Sequence, residues 1–303
     1  MGGIPEFPEY ARVSTDIKSE IFEFTSGYPP YSDFNFNNIL SWDITGSAKV
    51  TMLNSNLVLC TSDYVNSSPF FTFLGDNQAF STVDAVLNEA ELHTDVRALR
   101  SVPEIGAKAL QHVEIYRVDE DVDSHDYVLS LPEIASKQGS KFRNMRHEIN
   151  IFESRYGHEA KFKEISLSDP TTQASIVDVF YRRELQKTDN DHSNELLALG
   201  RMFEGTKSDG IASYGIEISG FLEAFIICEE INRDWCLGHF WKADIGYRGI
   251  YRYLMNKVAE TLTDRGYTYM NIQQDLGIEG LKQLKKLFCP ATQLKKYTIT
   301  DNV

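Results

Sequence analysis

Residues 235–273 read WCLGHFWKADIGYRGIYRYLMNKVAETLTDRGYTYMNIQ, and this stretch decides the fold class. Its first nine residues are rich in aromatic side chains and predict a strand. A turn with two glycines follows, and then a helix is predicted over 247–264. The apolar residues of that helix recur on one face: Ile250, Leu254, Val258 and Leu262. A second strand over 267–273 completes a strand–helix–strand order, which is typical of α/β folds.

Polar residues stand where the second strand ends, at the edge of an α/β sheet where ligands bind. Gln274 and Asp275 follow the strand directly, and a glycine then leads into a basic helix predicted over 278–288. Asp275 can act as a general base toward an acceptor amine, or as the counter-ion of an α-ammonium group. It can equally be the N-cap carboxylate of the following helix. The sequence leaves these three roles open.

The turn 244–249, with sequence DIGYRG, precedes the first helix of this stretch. Free N–H groups and the helix dipole favour an anion at such a helix start. Gly246, Arg248 and Gly249 are therefore candidates for contacts with a phosphate-bearing donor. The alternative is that the two glycines serve only a tight turn.

Two polar residues lie on the first strand, close to this turn. His239 is a candidate catalytic residue, although a histidine on a strand is often simply packed and hydrogen-bonded. Lys242 can contact a phosphate or a carboxylate, and the alternative is an ordinary surface lysine. Both residues are therefore candidate site residues.

A helix predicted over 140–156 has one apolar and one basic face. The apolar face comprises Phe142, Met145, Ile149 and Phe152. The basic residues Lys141, Arg143 and Arg146 can follow a phosphate backbone, which would make them RNA contacts. The alternative is a solvated helix face.

Composition narrows the class of protein. The chain has 303 residues, of which 42% are hydrophobic, so it can bury a core and is not disordered. Its formal charge of −14 opposes non-specific nucleic-acid binding by the whole surface. Four cysteines without a C-x-x-C pair indicate reduced thiols in a cytoplasmic protein. No apolar run approaches the roughly 18 residues that span a bilayer, and no metal-ligand spacing is present.

An acidic run, DEDVDSHD at 119–126, suits an exposed connection between domains. We therefore expect an N-terminal domain over 8–120, a connection over 121–126 and a C-terminal domain over 127–303. The C-terminal domain would carry the site.

Several segments carry a resemblance to a known family. They are YSDFNFNNILSW (31–42), GSKFRNMR (139–146), HFWKA (239–243), DLGIEGL (275–281), and Pro290 with LKKY (294–297). The chain resembles a bacterial family of unknown function that is related to the C-terminal domain of phosphatidylglycerol lysyltransferase. The resemblance covers nearly the whole chain.

The resemblance implies an α/β fold with mixed sheets, built as a tandem of two GNAT-like halves, as in the Fem-type aminoacyltransferases. Relatives of known activity move an aminoacyl group from aminoacyl-tRNA to an amine or a hydroxyl. By this resemblance, the helix with Lys141, Arg143 and Arg146 would contact tRNA. The transfer cleft would be lined by His239, Lys242 and Asp275, and Gln274 and Tyr297 would contact the donor or the substrate.

Two departures qualify what the resemblance implies. The chain lacks the membrane-spanning region of the lysyltransferase and is acidic, and both facts argue against a lipid acceptor. The turn 244–249 also differs from the Q-x-x-G-x-G/A loop that holds the coenzyme A pyrophosphate in GNAT enzymes.

The sequence thus predicts a cytoplasmic aminoacyltransferase that uses aminoacyl-tRNA and a small acceptor, without a metal or a tightly bound cofactor. Possible partners are tRNA and the acceptor. An acyl-CoA-dependent N-acyltransferase is the first alternative. The second is a non-catalytic ligand- or partner-binding protein of the same fold.

Overall fold

The computed structural model describes residues 3–186, 193–205 and 210–302. Up to residue 125 the chain alternates short strands and helices, in this order: β1 (Ala11–Arg12), α1 (Lys18–Thr25), α2 (Phe36–Trp42), β2 (Lys49–Leu53), β3 (Asn56–Ser62), β4 (Pro69–Leu74), α3 (Ala79–His93), β5 (Ala98–Pro103), α4 (Glu104–Lys108) and β6 (Tyr116–Glu120).

The rest of the chain has longer helices and strands, in this order: β7 (Asp126–Ser130), α5 (Leu131–Ser136), α6 (Arg143–Tyr156), β8 (Ala160–Glu164), α7 (Pro170–Leu185), α8 (Ser193–Glu204), β9 (Ile211–Ile218), β10 (Phe221–Glu230), β11 (Trp235–Ala243), α9 (Ile250–Asp264), β12 (Tyr269–Asn271), α10 (Glu279–Lys286), β13 (Thr292–Leu294) and β14 (Lys296–Asp301). The strand predicted over 235–243 is confirmed as β11, and the predicted helix that follows begins three residues later than expected.

The chain forms two compact units. Unit 1 contains the residues up to Asp126, the segment Gln274–Ile278, and the residues from Gln293 onward. Unit 2 contains Tyr127–Gln273 and Glu279–Thr292. Two late segments therefore lie in unit 1, although the sequence-based limits place them in the C-terminal domain.

The first sheet has the strand order β1-β2-β3-β4-β5-β14-β6, in which only β4 and β5 pair in parallel. Strands β2 and β3 form a hairpin, joined at Asn54 and Ser55 with positive φ angles of 51° and 61°. Successive β3 residues point to opposite faces: Val58 packs in the core that includes α3, and Leu57 and Leu59 pack in the core that includes α1 and α2.

The second sheet has the strand order β13-β7-β12-β11-β10-β9-β8. Residues from α5, α6 and α9 form one core with it, and the predicted apolar faces of α6 and α9 are buried there. Strands β11 and β12 pair in parallel over three residues only, from Trp235 with Tyr269 to Leu237 with Asn271. Beyond Leu237 strand β11 continues to Ala243, so His239 and Lys242 lie past the segment that pairs with β12.

Candidate functional site

The turn between β11 and α9 is held by its own acidic residue. Asp244 accepts hydrogen bonds from the backbone N–H of Gly246 at 2.8 Å, from Gln186 at 2.7 Å and from Arg182 at 3.0 Å. Burial alone would raise the pKa of Asp244. The hydrogen bonds and the charge of Arg182 together have the larger effect, and they hold this pKa below its ordinary value. The Asp244 carboxylate thus satisfies the Gly246 N–H within the turn.

The start of α9 is also closely packed. Gly249 has φ of +89°, and a Cβ atom there would lie 2.2 Å from the backbone oxygen of Glu148 in α6. Arg248 binds the Glu148 carboxylate with two nitrogens, at 2.8 and 3.1 Å. Gly249 therefore permits a close helix–helix approach, and Arg248 is already paired within the unit.

His239 is fully buried and paired with an acid. Its Nε2 lies 2.9 Å from Oε2 of Glu229 on the neighbouring strand β10. Its Nδ1 has no hydrogen-bond partner among the residues that the structure describes. A carboxylate that orients an imidazole in this way leaves the second ring nitrogen as the atom that could exchange a proton.

Lys242 is buried, so the surface-lysine alternative is wrong. Its Nζ lies 2.7 Å from Glu195 of α8 and 3.9 Å from Glu184 of α7. It also lies 5.3 Å from the centre of the Phe180 ring. These contacts attach the two helices to the sheet.

Asp275 belongs to unit 1 and is fully buried. Its Oδ1 accepts the backbone N–H of Gly277 at 2.9 Å, and its backbone oxygen accepts that of Ile278 at 2.9 Å. The carboxylate thus shapes the turn before α10, as in the capping alternative, although α10 begins only at Glu279.

Gln274 belongs to a buried polar cluster in unit 1. We call it the Lys296 cluster, and its members are Lys296, Asp33, Asp126, Ser32 and Gln274. The Lys296 Nζ donates to Asp126 at 2.8 Å, to Asp33, and to Gln274 and Ser32 at 3.3 Å. Ser32 also donates its hydroxyl and its backbone N–H to Asp126, at 2.6 and 2.7 Å. Four segments that are distant in sequence meet at one ammonium group.

Burial and the neighbouring charges together set the protonation of this cluster. Burial lowers the pKa of Lys296, but the carboxylates of Asp126 and Asp33 have the larger effect and hold that pKa above its ordinary value. Burial raises the pKa of Asp33 more than Lys296 lowers it. The buried hydroxyl of Tyr64 has its pKa raised by burial and by Asp33, to which it donates a hydrogen bond at 3.2 Å. Lys296, Asp33 and Tyr64 therefore retain their protons more strongly than they would in water.

Tyr297 lies next to this cluster in sequence, on β14. It is buried, and in the sheet it lies opposite Val102 of β5 and Glu120 of β6. Burial and the charges of Glu104 and Glu120 raise the pKa of its hydroxyl.

The three basic residues at the start of α6 have different surroundings. Lys141 pairs with Glu133 at 2.8 Å, and Arg146 donates to the backbone oxygens of Lys137 and Gly139. Arg143 is exposed and makes no ion pair within the described ranges. It is thus the most available of the three for a phosphate.

The predicted site residues divide between the units. Gln274, Asp275 and Tyr297 are in unit 1. The remaining candidates are in unit 2, where Gly246, Arg248 and Gly249 share one turn: His239, Lys242, Gly246, Arg248, Gly249, Lys141, Arg143 and Arg146.

Sequence reasoning missed the partners of these residues. Glu229, Arg182 and Asp244 were not singled out, and neither were Asp33, Asp126 and Lys296. A signal existed for the last three, because Asp33 lies in the YSDFNFNNILSW segment, Asp126 ends the acidic run and Lys296 lies in the LKKY segment.

Two absences hold for the described part of the chain. None of its helices is both long and apolar enough to cross a membrane. Nor does that part contain a group of three or more His, Cys, Asp or Glu side chains placed to hold a metal ion.

Comparison with known structures identifies the fold. A conserved Bacteroides thetaiotaomicron protein of unknown function is 22% identical with a TM-score of 0.81, over 96% of this chain and 98% of that chain. L-PGS from Bacillus licheniformis is 13% identical with a TM-score of 0.62, over 98% and 93%. FemX is 7% identical with a TM-score of 0.63, over 97% of each chain. The predicted fold class is confirmed: mixed α/β, of tandem GNAT-like type.

Sequence comparison identifies the family. No curated protein matches the chain. The family model described as "Phosphatidylglycerol lysyltransferase, C-terminal" matches residues 28–300, which is nearly the whole chain. The predicted resemblance is therefore confirmed, and the chain belongs to the phosphatidylglycerol lysyltransferase C-terminal family.

Proposed function

We propose that this protein is a cytoplasmic aminoacyltransferase that moves an aminoacyl group from aminoacyl-tRNA to an amine or hydroxyl of a small acceptor. The observation that carries the proposal is the family match over residues 28–300. The family name describes a lysyl transfer, and an aminoacyl ester of tRNA is a reactive donor that needs no covalent enzyme intermediate.

The turn before α9 supports this donor over acyl-CoA. The Gly246 N–H already donates to the Asp244 carboxylate, and Arg248 already pairs with the Glu148 carboxylate. A coenzyme A pyrophosphate at this turn would lie close to the negative charges of Asp244 and Glu148. A tRNA donor does not require a pyrophosphate site there.

The proposed chemistry is a direct attack on the ester. The acceptor nitrogen or oxygen bonds to the carbonyl carbon of the aminoacyl group, and the bond from that carbon to the ribose oxygen of tRNA breaks. In this proposal Nδ1 of His239 takes the proton of the attacking group and returns it to the ribose oxygen, while Glu229 orients the ring. Lys242, on the same strand as His239, contacts the substrate in this proposal.

The proposed tRNA contacts are Lys141, Arg143 and Arg146 at the start of α6. Arg143 contributes most in this proposal because its side chain is exposed and makes no ion pair in the described part of the chain. Arg146 holds backbone oxygens, so its substitution would disturb the fold as well as binding.

A transfer assay tests the function. The purified protein is incubated with tRNA charged with a labelled amino acid and with the small-molecule fraction of a bacterial lysate. We expect label in a small-molecule product that forms only when the protein is present and that differs from the free amino acid and from aminoacyl-tRNA. The product should resist mild base if the acceptor is an amine, because an amide forms, and should be cleaved by it if the acceptor is a hydroxyl, because an ester forms. His239→Asn should abolish the transfer, and Glu229→Gln should reduce it.

Negative results discriminate between the alternatives. If no amino acid is transferred and tRNA does not bind even at low salt, the aminoacyl-tRNA proposal fails. Thermal stabilisation by acetyl-CoA, without stabilisation by tRNA, would favour the acyl-CoA alternative instead.

A further inference from the structure

Helix α10 carries lysines that point in different directions. Lys285 is 6% exposed, donates to the backbone oxygen of Ile272 at 2.6 Å and lies 5.8 Å from the Tyr127 ring centre. Lys286, the next residue, is exposed and makes no ion pair within the described residues. One lysine therefore serves the packing of unit 2, and its neighbour is presented to solvent.

The last turn of α10 lies beside the start of α6, within unit 2. Cys289 donates its backbone N–H to the backbone oxygen of Lys286 at 3.1 Å. The Sγ of the same cysteine lies 3.2 Å from the backbone oxygen of Lys141. These two contacts connect Lys286 to Lys141, which directly precedes the segment with Arg143, although more than 140 residues separate the two lysines in sequence.

Arg252 of α9 is a further cation near this junction, but it is largely buried. Its side chain is 13% exposed, and its Nη1 is 3.9 Å from Glu148. Its Nε has no hydrogen-bond partner in the part of the chain that the structure describes. Burial lowers the pKa of Arg252 more than the charge of Glu148 raises it.

We propose that Lys286, together with Lys141 and Arg143, forms a surface that binds the phosphate backbone of RNA. We call these three residues the α6–α10 basic surface. This inference rests on the proposed function, because tRNA is the donor there. A chain with a formal charge of −14 repels a polyanion over most of its surface, so a local group of exposed cations is where RNA can approach.

The test measures the affinity for aminoacyl-tRNA as a function of salt. Lys286→Gln removes one phosphate contact, so we expect binding to weaken about five-fold at moderate salt. The slope of log Kd against log salt should fall by about one. Lys286→Glu should weaken binding further. Lys161→Glu is the matched control, since Lys161 is an exposed lysine on β8 of the same unit, and it should bind like the parent protein.

A double variant tests whether the two helices bind the same RNA. Arg143→Gln combined with Lys286→Gln should lower the salt slope by about two. Thermal unfolding of each variant should match that of the parent protein, because both side chains are exposed.

The outcomes separate this inference from the proposed function. If the parent protein binds and uses aminoacyl-tRNA but Lys286→Gln and Lys286→Glu bind like Lys161→Glu, the basic surface is a solvated helix face and the inference is wrong. If the parent protein neither binds tRNA nor transfers label, the proposed function fails first and the inference fails with it.

Discussion

The Lys296 cluster of unit 1 and the Arg248–Glu148 pair of unit 2 use the same kinds of charge in opposite surroundings. Lys296 and Asp126 have side chains that are 0% exposed, and their atoms are 2.8 Å apart. Arg248 and Glu148 are also 2.8 Å apart, but the arginine side chain is 53% exposed. The distances are equal, so geometry alone does not distinguish the two pairs.

The difference lies in solvent. Removing charges from water costs several kcal/mol per ion, so a buried pair is retained only when all its members are present. When an exposed pair forms, its two groups exchange water contacts for protein contacts, and the net gain in free energy is small. The Lys296 cluster therefore ties distant segments into unit 1, whereas the Arg248–Glu148 pair adds little to the stability of unit 2.

The largest effect is expected for Lys296→Met. The substitution leaves Asp33 and Asp126 buried without their cation, and should lower the free energy of unfolding by about 3–5 kcal/mol. Urea unfolding measures it, with Lys295→Met as the matched control, because Lys295 is the adjacent, exposed lysine and its loss should leave the midpoint unchanged. Adding Asp33→Asn and Asp126→Asn should recover part of the loss. A Lys296→Met protein with unchanged stability would contradict the contrast.

Gly249→Ala should show that close packing, and not the exposed ion pair, holds the start of α9. The positive φ and the clash with the Glu148 backbone together should cost about 2–4 kcal/mol. Gly200→Ala is the control, because a Cβ there has no neighbour within 4 Å and lies inside helix α8, where alanine is favoured. Equal stabilities of the two variants would refute the packing argument.

Alkaline pH should weaken unit 1 through groups whose pKa is raised in the folded state. Burial, with Glu104 and Asp126, raises the pKa of Tyr31 to about 12. Above pH about 10 the unfolded chain releases this proton while the folded chain keeps it, so stability falls as the pH rises towards 12. The expected loss from Tyr31 is about 2–3 kcal/mol. The Lys296 ammonium, whose pKa is also raised, acts in the same direction.

Thermal unfolding at stepped pH measures this loss. Tyr31→Phe should flatten the decline between pH 10 and 12, because phenylalanine has no proton to release. A decline of the same steepness in the variant would mean that Tyr31 does not contribute.

The smallest effect is expected for Arg248→Met. The pair with Glu148 is solvated on the arginine side, so the urea midpoint should match that of the parent protein. A loss comparable to that of Lys296→Met would mean that exposure does not separate the two pairs.

The elements that could be predicted are those with a visible local period. The hairpin at Asn54 and Ser55, strand β11 and the apolar faces of α6 and α9 each follow from neighbouring residues. Strand β4, with sequence PFFTFL, was not predicted, and neither were β5, β8 and β9. A strand such as β4 is apolar on both faces because helices cover both sides of its sheet, so alternation does not reveal it.

The candidate site was less predictable than the fold. His239, Lys242 and Gly246 were identified as polar residues near a strand end, but Glu229, Glu195 and Asp244 decide how much each of them can do. These partners are 2 to 47 residues away in sequence. Two of the three residues of the α6–α10 basic surface, Lys141 and Arg143, were identified from the sequence, and Lys286 was not.

The α/β class, the strand–turn–helix at 235–264 and the family follow from the sequence alone, because periodicity and short motifs are local properties. Which charges are buried depends on the tertiary fold. Lys295 and Lys296 are adjacent and chemically identical, yet the first side chain is 44% exposed and the second 0%. Lys295 directly precedes β14 and pairs with Glu120 at 2.9 Å, whereas Asp33 and Asp126, from far away in the chain, hold Lys296. Burial depends on contacts between distant residues, and no local pattern encodes it.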